Sequence, residues 1–136
     1  AAGHLDDVPL NKISKKIPEL STRVDSGNVF EIMYAIKKSK IYLCTSLHGA
    51  ITAYSFGVPH IGLMPTRVVK LKEFISTWSD PSYGVCSEVD GMCAATLLLL
   101  NNISSKNVVL RMNENIARMQ REIYRSLDVV CGVGIR

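Results

Sequence analysis

The chain has 136 residues, 47% of them hydrophobic and 21% charged, an ordinary globular composition with enough length for one core. Net charge is +4, from 16 Lys and Arg against 12 Asp and Glu; the basic residues are scattered without aromatic interleaving, which argues against nucleic acid and suits a small anion or an acidic partner. The cysteines Cys44, Cys86, Cys93 and Cys131 form no C-x-x-C pair and have no histidine at ligand spacing, so no metal site is expected and a reduced, cytoplasmic protein is.

The run Leu97–Leu100 is too short to span a bilayer, and no basic-then-apolar segment marks a signal peptide. The chain opens Ala1-Ala2-Gly3 without an initiator Met, as expected of a processed product or an excised piece of a longer protein.

Residues 1–20 are polar and carry Pro9 and Pro18, which predicts a loop with a short helix near Leu10–Lys16; Ser21–Val24 is read as a short strand. Asn28 then caps a helix, with Glu31 placed to complete a capping box. Its apolar stripe is Val29, Ile32, Met33 and Ile36, and Lys37, Lys38 and Lys40 crowd its end, where the helix dipole favours cations. Ile41–Thr45 follows as a buried parallel strand, Ser46–Gly49 as a turn, and Ala50–Phe56 as a helix ended by Gly57. His60–Met64 is a second buried strand, so the order is that of a βαβ unit. A helix at Val68–Trp78 carries the stripe Val68, Leu71, Ile75 and Trp78; Asp80–Ser82 is a turn, Tyr83–Cys86 a small strand, and Val89–Leu100 a helix. The last and longest helix, Asn107–Leu127, has the stripe Val109, Met112, Ile116, Met119, Ile123 and Leu127, and 131–136 is a frayed tail. The expected fold is α/β: one Rossmann-like three-layer domain over 1–136 with a mainly parallel sheet.

In open α/β sheets ligands bind beyond the carboxyl ends of the strands. The first strand runs straight into Thr45-Ser46-Leu47-His48-Gly49, and the N-terminus of the next helix points at that turn, a place for phosphate or carboxylate. Gly49 lets a ligand approach the backbone, Thr45 and Ser46 offer hydroxyls, and His48 offers a proton donor near neutral pH. The residues alone balance this reading evenly against a plainer one, in which Ser46 or Thr45 caps the helix and His48 packs at its start.

The stretch Thr45-Ser46-Leu47-His48-Gly49-Ala50-Ile51-Thr52-Ala53-Tyr54-Ser55-Phe56-Gly57-Val58-Pro59 resembles the hallmark of polysaccharide pyruvyl transferases: R/S-L-H-G, a small-residue helix with Ala, then G-x-P and an apolar strand. Lys70-Leu71-Lys72-Glu73-Phe74-Ile75-Ser76 resembles the K-aromatic-x-acid-aromatic-x-S segment of a subgroup, so the resemblance covers about Asn28–Trp78. It implies the C-terminal half of a fold similar to two-domain GT-B glycosyltransferases, with the active site between the domains and the N-terminal domain absent from this chain. It also implies transfer of an enolpyruvyl-derived group from phosphoenolpyruvate to a sugar of an exopolysaccharide or cell-wall glycan, giving a pyruvate ketal. No further cofactor is implied. The acceptor is a glycan or lipid-linked sugar, reached by peripheral association at the inner face of the membrane. The motif histidine carries over to His48 as the catalytic residue; Thr45, Ser46, Gly49, Arg67 and Lys70 are the expected substrate-binding residues. Many members carry Arg where this chain has Ser46, which removes a bidentate anion clamp and leaves Arg67 or Lys70 to supply the charge.

The mechanism that follows is a hypothesis. A general acid protonates the methylene carbon of phosphoenolpyruvate, one sugar hydroxyl attacks the oxocarbenium-like centre, and a second displaces phosphate and closes the ketal. His48 is that acid or a donor to the phosphate, and the helix N-terminus favours the second role. Plainer readings stand beside the others. Lys70 is equally a solvated lysine; Arg67 opens a helix, where a cation is slightly unfavourable, yet fits a surface arginine better. His60 reads as a packing or edge residue, His4 as part of a disordered tail, Glu73 and Asp80 as solvated acids, and Trp78 as core. Two other functions remain. One is a GT-B glycosyltransferase donor domain for a nucleotide sugar, with Glu88 and Asp90 as candidates to grip the ribose. The other is a non-catalytic α/β binding module.

Overall fold

The computed structural model describes residues 7–22, 24, 27–64 and 69–131, with the backbone alone for 7–10 and 129–131. His4, Arg67, Val68 and the expected tail beyond Cys131 lie outside the described residues. The chain divides into two compact units, 1–35 and 36–136.

In the first unit, helix α1 is Asp7–Lys16, longer than expected at its start. The expected strand at Ser21–Val24 is not formed at Ser21, Thr22 or Val24. Ser21 Oγ instead donates back to the Ile17 carbonyl at 3.0 Å, continuing the turn that closes when Leu20 N–H donates to Ile17 O at 3.0 Å. A local hydroxyl-to-backbone bond of this kind competes with strand pairing. Helix α2, Val29–Lys38, starts where Asn28 predicts: its carboxamide Oδ1 accepts from the Phe30 N–H at 2.9 Å, and its carbonyl takes the N–H groups of Glu31 and Ile32. The unit boundary falls within α2. Of its expected stripe, Ile36 is buried while Val29 and Ile32 are exposed.

The second unit holds strands β1 (Tyr42–Cys44), β2 (His60–Leu63) and β3 (Gly84–Ser87), joined by crossover helices α3 (Leu47–Ser55) and α4 (Val69–Trp78). A 3-10 turn, Val89–Gly91, leads into α5 (Met92–Asn102), and α6 (Lys106–Cys131) closes the described chain. The sheet order is β1-β2-β3, all parallel, so this is an α/β unit built from consecutive βαβ crossovers and compatible with a Rossmann-like domain. Pairing places Cys44 beside Gly62 and Gly62 beside Cys86. β2 is the central strand and His60, Ile61 and Gly62 are all buried. β1, expected to be buried, is an edge strand of the described sheet, and Leu43 is 37% exposed there.

Side chains alternate across a strand. His60 and Gly62 face the layer of α3 and α4: the His60 ring meets Tyr54 edge-on, and Gly62 lies under Leu71 and Ile75. Ile61 points to the opposite face and is also buried, and α5 lies against β2 and β3. The end of α3 follows its sequence closely. Gly57 has φ +66°, Gly57 N–H bonds Tyr54 O, and Val58 N–H bonds Ala53 O. This pair of bonds terminates a helix at a left-handed glycine, and Ala53 and Val58 pack together beside Ile36.

Helix α6 packs on the ends of α3 and α4. Val108, Met112 and Met119 join Tyr54 and Tyr83, with Phe74, Trp78 and Ile116 around them. Of the stripe expected for this helix, Met112 and Met119 are buried, whereas Val109, Ile123 and Leu127 are exposed and Val108 takes the first inward position. Alternating three- and four-residue steps do not distinguish neighbours one residue apart at a helix start, and the domain surface ends before Ile123. Trp78 lies in this core as expected, with the Arg118 guanidinium 5.5 Å from its ring centre.

Among the described residues the Tyr54 hydroxyl is buried without a hydrogen-bond partner, and its burial, with Tyr83 nearby, pushes its pKa up to about 12. A buried unpaired hydroxyl costs about 1–3 kcal/mol. Tyr54→Phe keeps the ring contacts to His60 and Phe74 and removes that cost, so urea unfolding is expected to show a variant at least as stable as the parent. A loss beyond about 1 kcal/mol, the usual net worth of a satisfied hydrogen bond, would reveal a bonded hydroxyl.

Candidate functional site

The register aligns the carboxyl ends of the three strands. Leu63 pairs with Ser87, and Met64 N–H donates to Ser87 O at 2.9 Å. The chain therefore leaves β1 at Thr45, β2 at Met64 and β3 at Glu88 along one edge of the sheet, the edge where open parallel sheets take their ligands.

Helix α3 begins earlier than expected. Ser46 is its N-cap residue, with extended φ −104° and ψ 132°, and Leu47, His48 and Gly49 form the first turn itself rather than a loop ahead of it. The Ser46 carbonyl accepts the Ala50 N–H at 3.1 Å. The N–H groups of Leu47, His48 and Gly49 have no acceptor within the helix, by the geometry of any α-helix start. The Ser46 hydroxyl makes no cap hydrogen bond, and the first turn contains no acidic residue. This leaves an uncompensated positive helix end, suited to an anion. Thr45, Ser46 and His48 are all exposed around it. The His48 carbonyl is held by the Thr52 hydroxyl at 2.9 Å, which ties the backbone of the first turn to the second.

Gly49 has a packing reason. A side-chain carbon built on it would lie 2.6 Å from the Tyr42 hydroxyl oxygen and 3.0 Å from Tyr42 Cε1. Beneath the turn, Cys44 is buried; burial and the neighbouring Cys86 raise its pKa to about 11 against the lowering effect of the Ser46 backbone N–H. It is thus a protonated core thiol.

Lys70 is exposed in the first turn of α4, and Arg67 lies outside the described residues. Around α4, Leu71, Phe74 and Ile75 face inward. At 100° per residue Lys70 falls on the Phe74 flank, the side on which Phe74 meets Tyr54 of α3 at 5.8 Å, and Lys72 falls on the Ile75 flank. Burial raises the Cys86 thiol pKa against the lowering effect of the Lys72 ammonium. Lys72 was not among the expected site residues, although it too is a cation in a first turn that has no acid. The dipole argument applied to Arg67 singles it out equally.

The remaining candidates separate. His60 is fully buried at the other end of β2. Its Nδ1 lies 3.0 Å from the Val58 carbonyl, which only accepts, so Nδ1 carries the proton. The Ser79 hydroxyl then donates to Nε2 at 3.0 Å. Burial lowers the His60 pKa. Asp80 sits ahead of β3, accepts the hydroxyl and N–H of Ser82 and faces Arg111 at 3.6 Å. The Ser82 hydroxyl bond is the main cause of its lowered pKa. His60 and Asp80 are structural groups at the amino edge. Glu88 and Asp90 are exposed at the carboxyl edge, after β3. Among the described residues no group of three or more His, Cys, Asp and Glu could hold a metal ion, and no helix is long and apolar enough to cross a membrane.

Residues 3–66 match the family model described as polysaccharide pyruvyl transferase. No curated protein and no solved structure matches the chain. The matched stretch starts well before Asn28 and takes in Thr45, Ser46, His48 and Gly49; it stops ahead of α4 and so does not include Lys70.

Proposed function

We propose, from the match of residues 3–66 to the polysaccharide pyruvyl transferase family model, that this chain forms the donor-binding half of an enzyme transferring pyruvyl from phosphoenolpyruvate to a sugar. The observation that carries the reading is the first turn of α3. Its free N–H groups, the Ser46 hydroxyl that makes no cap bond and the exposed His48 stand together at the carboxyl edge of a parallel sheet. The phosphate of the donor lies against this helix start, with His48 donating to it and Lys70 or Arg67 supplying the charge that Ser46 lacks. Enclosure of the reacting carbon belongs to a second domain in a GT-B-like arrangement. The acceptor is a glycan or lipid-linked sugar met at the cytoplasmic face of the membrane.

The position of Glu88 and Asp90 on the same edge favours a second reading, a nucleotide-sugar donor domain in which one of these carboxylates grips the ribose. Titration with phosphoenolpyruvate and, separately, with a nucleoside diphosphate decides between them, followed through the His48 imidazole NMR signals. Saturable shifts with phosphoenolpyruvate alone are expected. His48→Ala should weaken that binding by about tenfold, the worth of one hydrogen bond to a charged group. A response to the nucleotide alone would move the assignment to glycosyl transfer, and unchanged phosphoenolpyruvate affinity in His48→Ala would remove His48 from the donor site.

A further inference from the structure

We propose that Tyr42 is a positioning residue for the anion-binding first turn of α3, and that Gly49 is glycine because the Tyr42 ring occupies the place of its side chain. The inference rests on the reading that this turn binds the donor phosphate. Gly49 lies inside a helix and its φ is not positive, so backbone conformation does not require glycine there. What requires glycine is a contact with a neighbouring element. That contact comes from Tyr42 of β1. A carbon on Gly49 would meet the Tyr42 hydroxyl at 2.6 Å, Cε1 at 3.0 Å and Cζ at 3.2 Å. These distances mean that the carbon would point down at the sheet and not out toward a ligand.

Tyr42 is itself held. It packs against two core clusters, that of Ile36, Ala53 and Val58 and that of Cys44, Ala50, Leu71 and Ile75. Burial raises its pKa, so its phenol stays neutral at the foot of a positive helix end. A ring held by two core clusters thus sets the height of the α3 first turn above β1, and with it the direction of the Leu47 and His48 N–H groups.

The test uses the whole chain and the variants Gly49→Ala, Tyr42→Leu and Tyr42→Leu/Gly49→Ala. Gly49→Ala is expected to shift the Leu47 and His48 amide resonances in the ligand-free protein and to weaken phosphoenolpyruvate binding about tenfold or more, the consequence of misaligning hydrogen bonds to a charged group. In the Tyr42→Leu background the same substitution should cost less than about twofold and leave those amides in place, as coupled neighbours do. An equal effect in both backgrounds overturns the proposal and returns Gly49 to the role of admitting a ligand. Rescue of folding by Tyr42→Leu, if Gly49→Ala alone does not fold, supports it; failure of both to fold overturns it. Absence of phosphoenolpyruvate binding by the parent chain counts against the donor-site reading alone, because the ligand-free amide shifts still decide the Tyr42–Gly49 coupling.

Discussion

Gly84→Ala is expected to destabilise the chain by about 2–5 kcal/mol, the sum of overpacking and a broken buried hydrogen bond. The added carbon would lie 2.5 Å from Ser79 Cβ, 2.7 Å from Ser79 Oγ and 2.9 Å from His60 Nε2. Ser79 Cβ is anchored to the backbone and cannot swing aside, unlike the tip of a long side chain. Relief requires moving the turn after α4 away from β3, which pulls the Ser79 hydroxyl off His60 Nε2 and strands a buried ring nitrogen. Domains of this kind have about 5–15 kcal/mol of stability in all, so the midpoint of thermal unfolding should fall by roughly 10 °C or more. Ser79→Gly in the same chain removes the two shortest contacts and should restore part of the loss. A Gly84→Ala variant as stable as the parent would mean that β2, β3 and the end of α4 do not meet as described.

Leu71→Ala should cost about 2–5 kcal/mol, the range for emptying a leucine site in a packed core. Leu71 is fully buried in the cluster with Cys44, Ala50 and Ile75, above the strand position of Gly62. Gly62 has no side chain, and the groove this leaves between Cys44 and Cys86 is filled from α4: a carbon built on Gly62 would stand 2.6 Å from Ile75 Cδ1 and 3.3 Å from Leu71 Cγ. The two sites are therefore coupled. In a Gly62→Ala background the leucine truncation should cost measurably less, because the new methyl group occupies part of the cavity. Urea unfolding of the four chains measures the cycle. A Leu71→Ala loss below about 1 kcal/mol, the level of an ordinary surface change, would place α4 elsewhere than over the sheet.

The βαβ order was legible in the sequence because each of its signals is local. The run Tyr42-Leu43-Cys44 between a lysine-rich helix end and a hydroxyl-bearing turn is a strand, Gly57 stops α3, and Pro59 leads into β2. The residues at Ser46–Gly49 resemble a family motif in the sequence itself, and residues 3–66, which contain it, match that family's model. The position of the helix start was missed by a few residues, because a glycine at the third helical position reads as part of a turn until the ring beneath it is seen.

The sequence by itself determined much of the local chemistry: the order of β1, α3, β2, α4 and β3, where α2 is capped and α3 terminated, and which residues stand at the head of α3. Periodicity, capping and glycine conformation act over a few residues and leave their marks there. Only the tertiary structure decided what depends on elements distant along the chain. It made β1 an edge strand and β2 the centre, moved the buried position of α6 from Val109 to Val108, enclosed His60 against Ser79, and gave Gly49, Gly62 and Gly84 their reasons. In each case the deciding contact comes from another element: a ring of β1 under Gly49, two side chains of α4 over Gly62, and the end of α4 against Gly84. Close packing fixes such contacts to tenths of an ångström, and no pattern within a single segment records the shape of the neighbour it will meet.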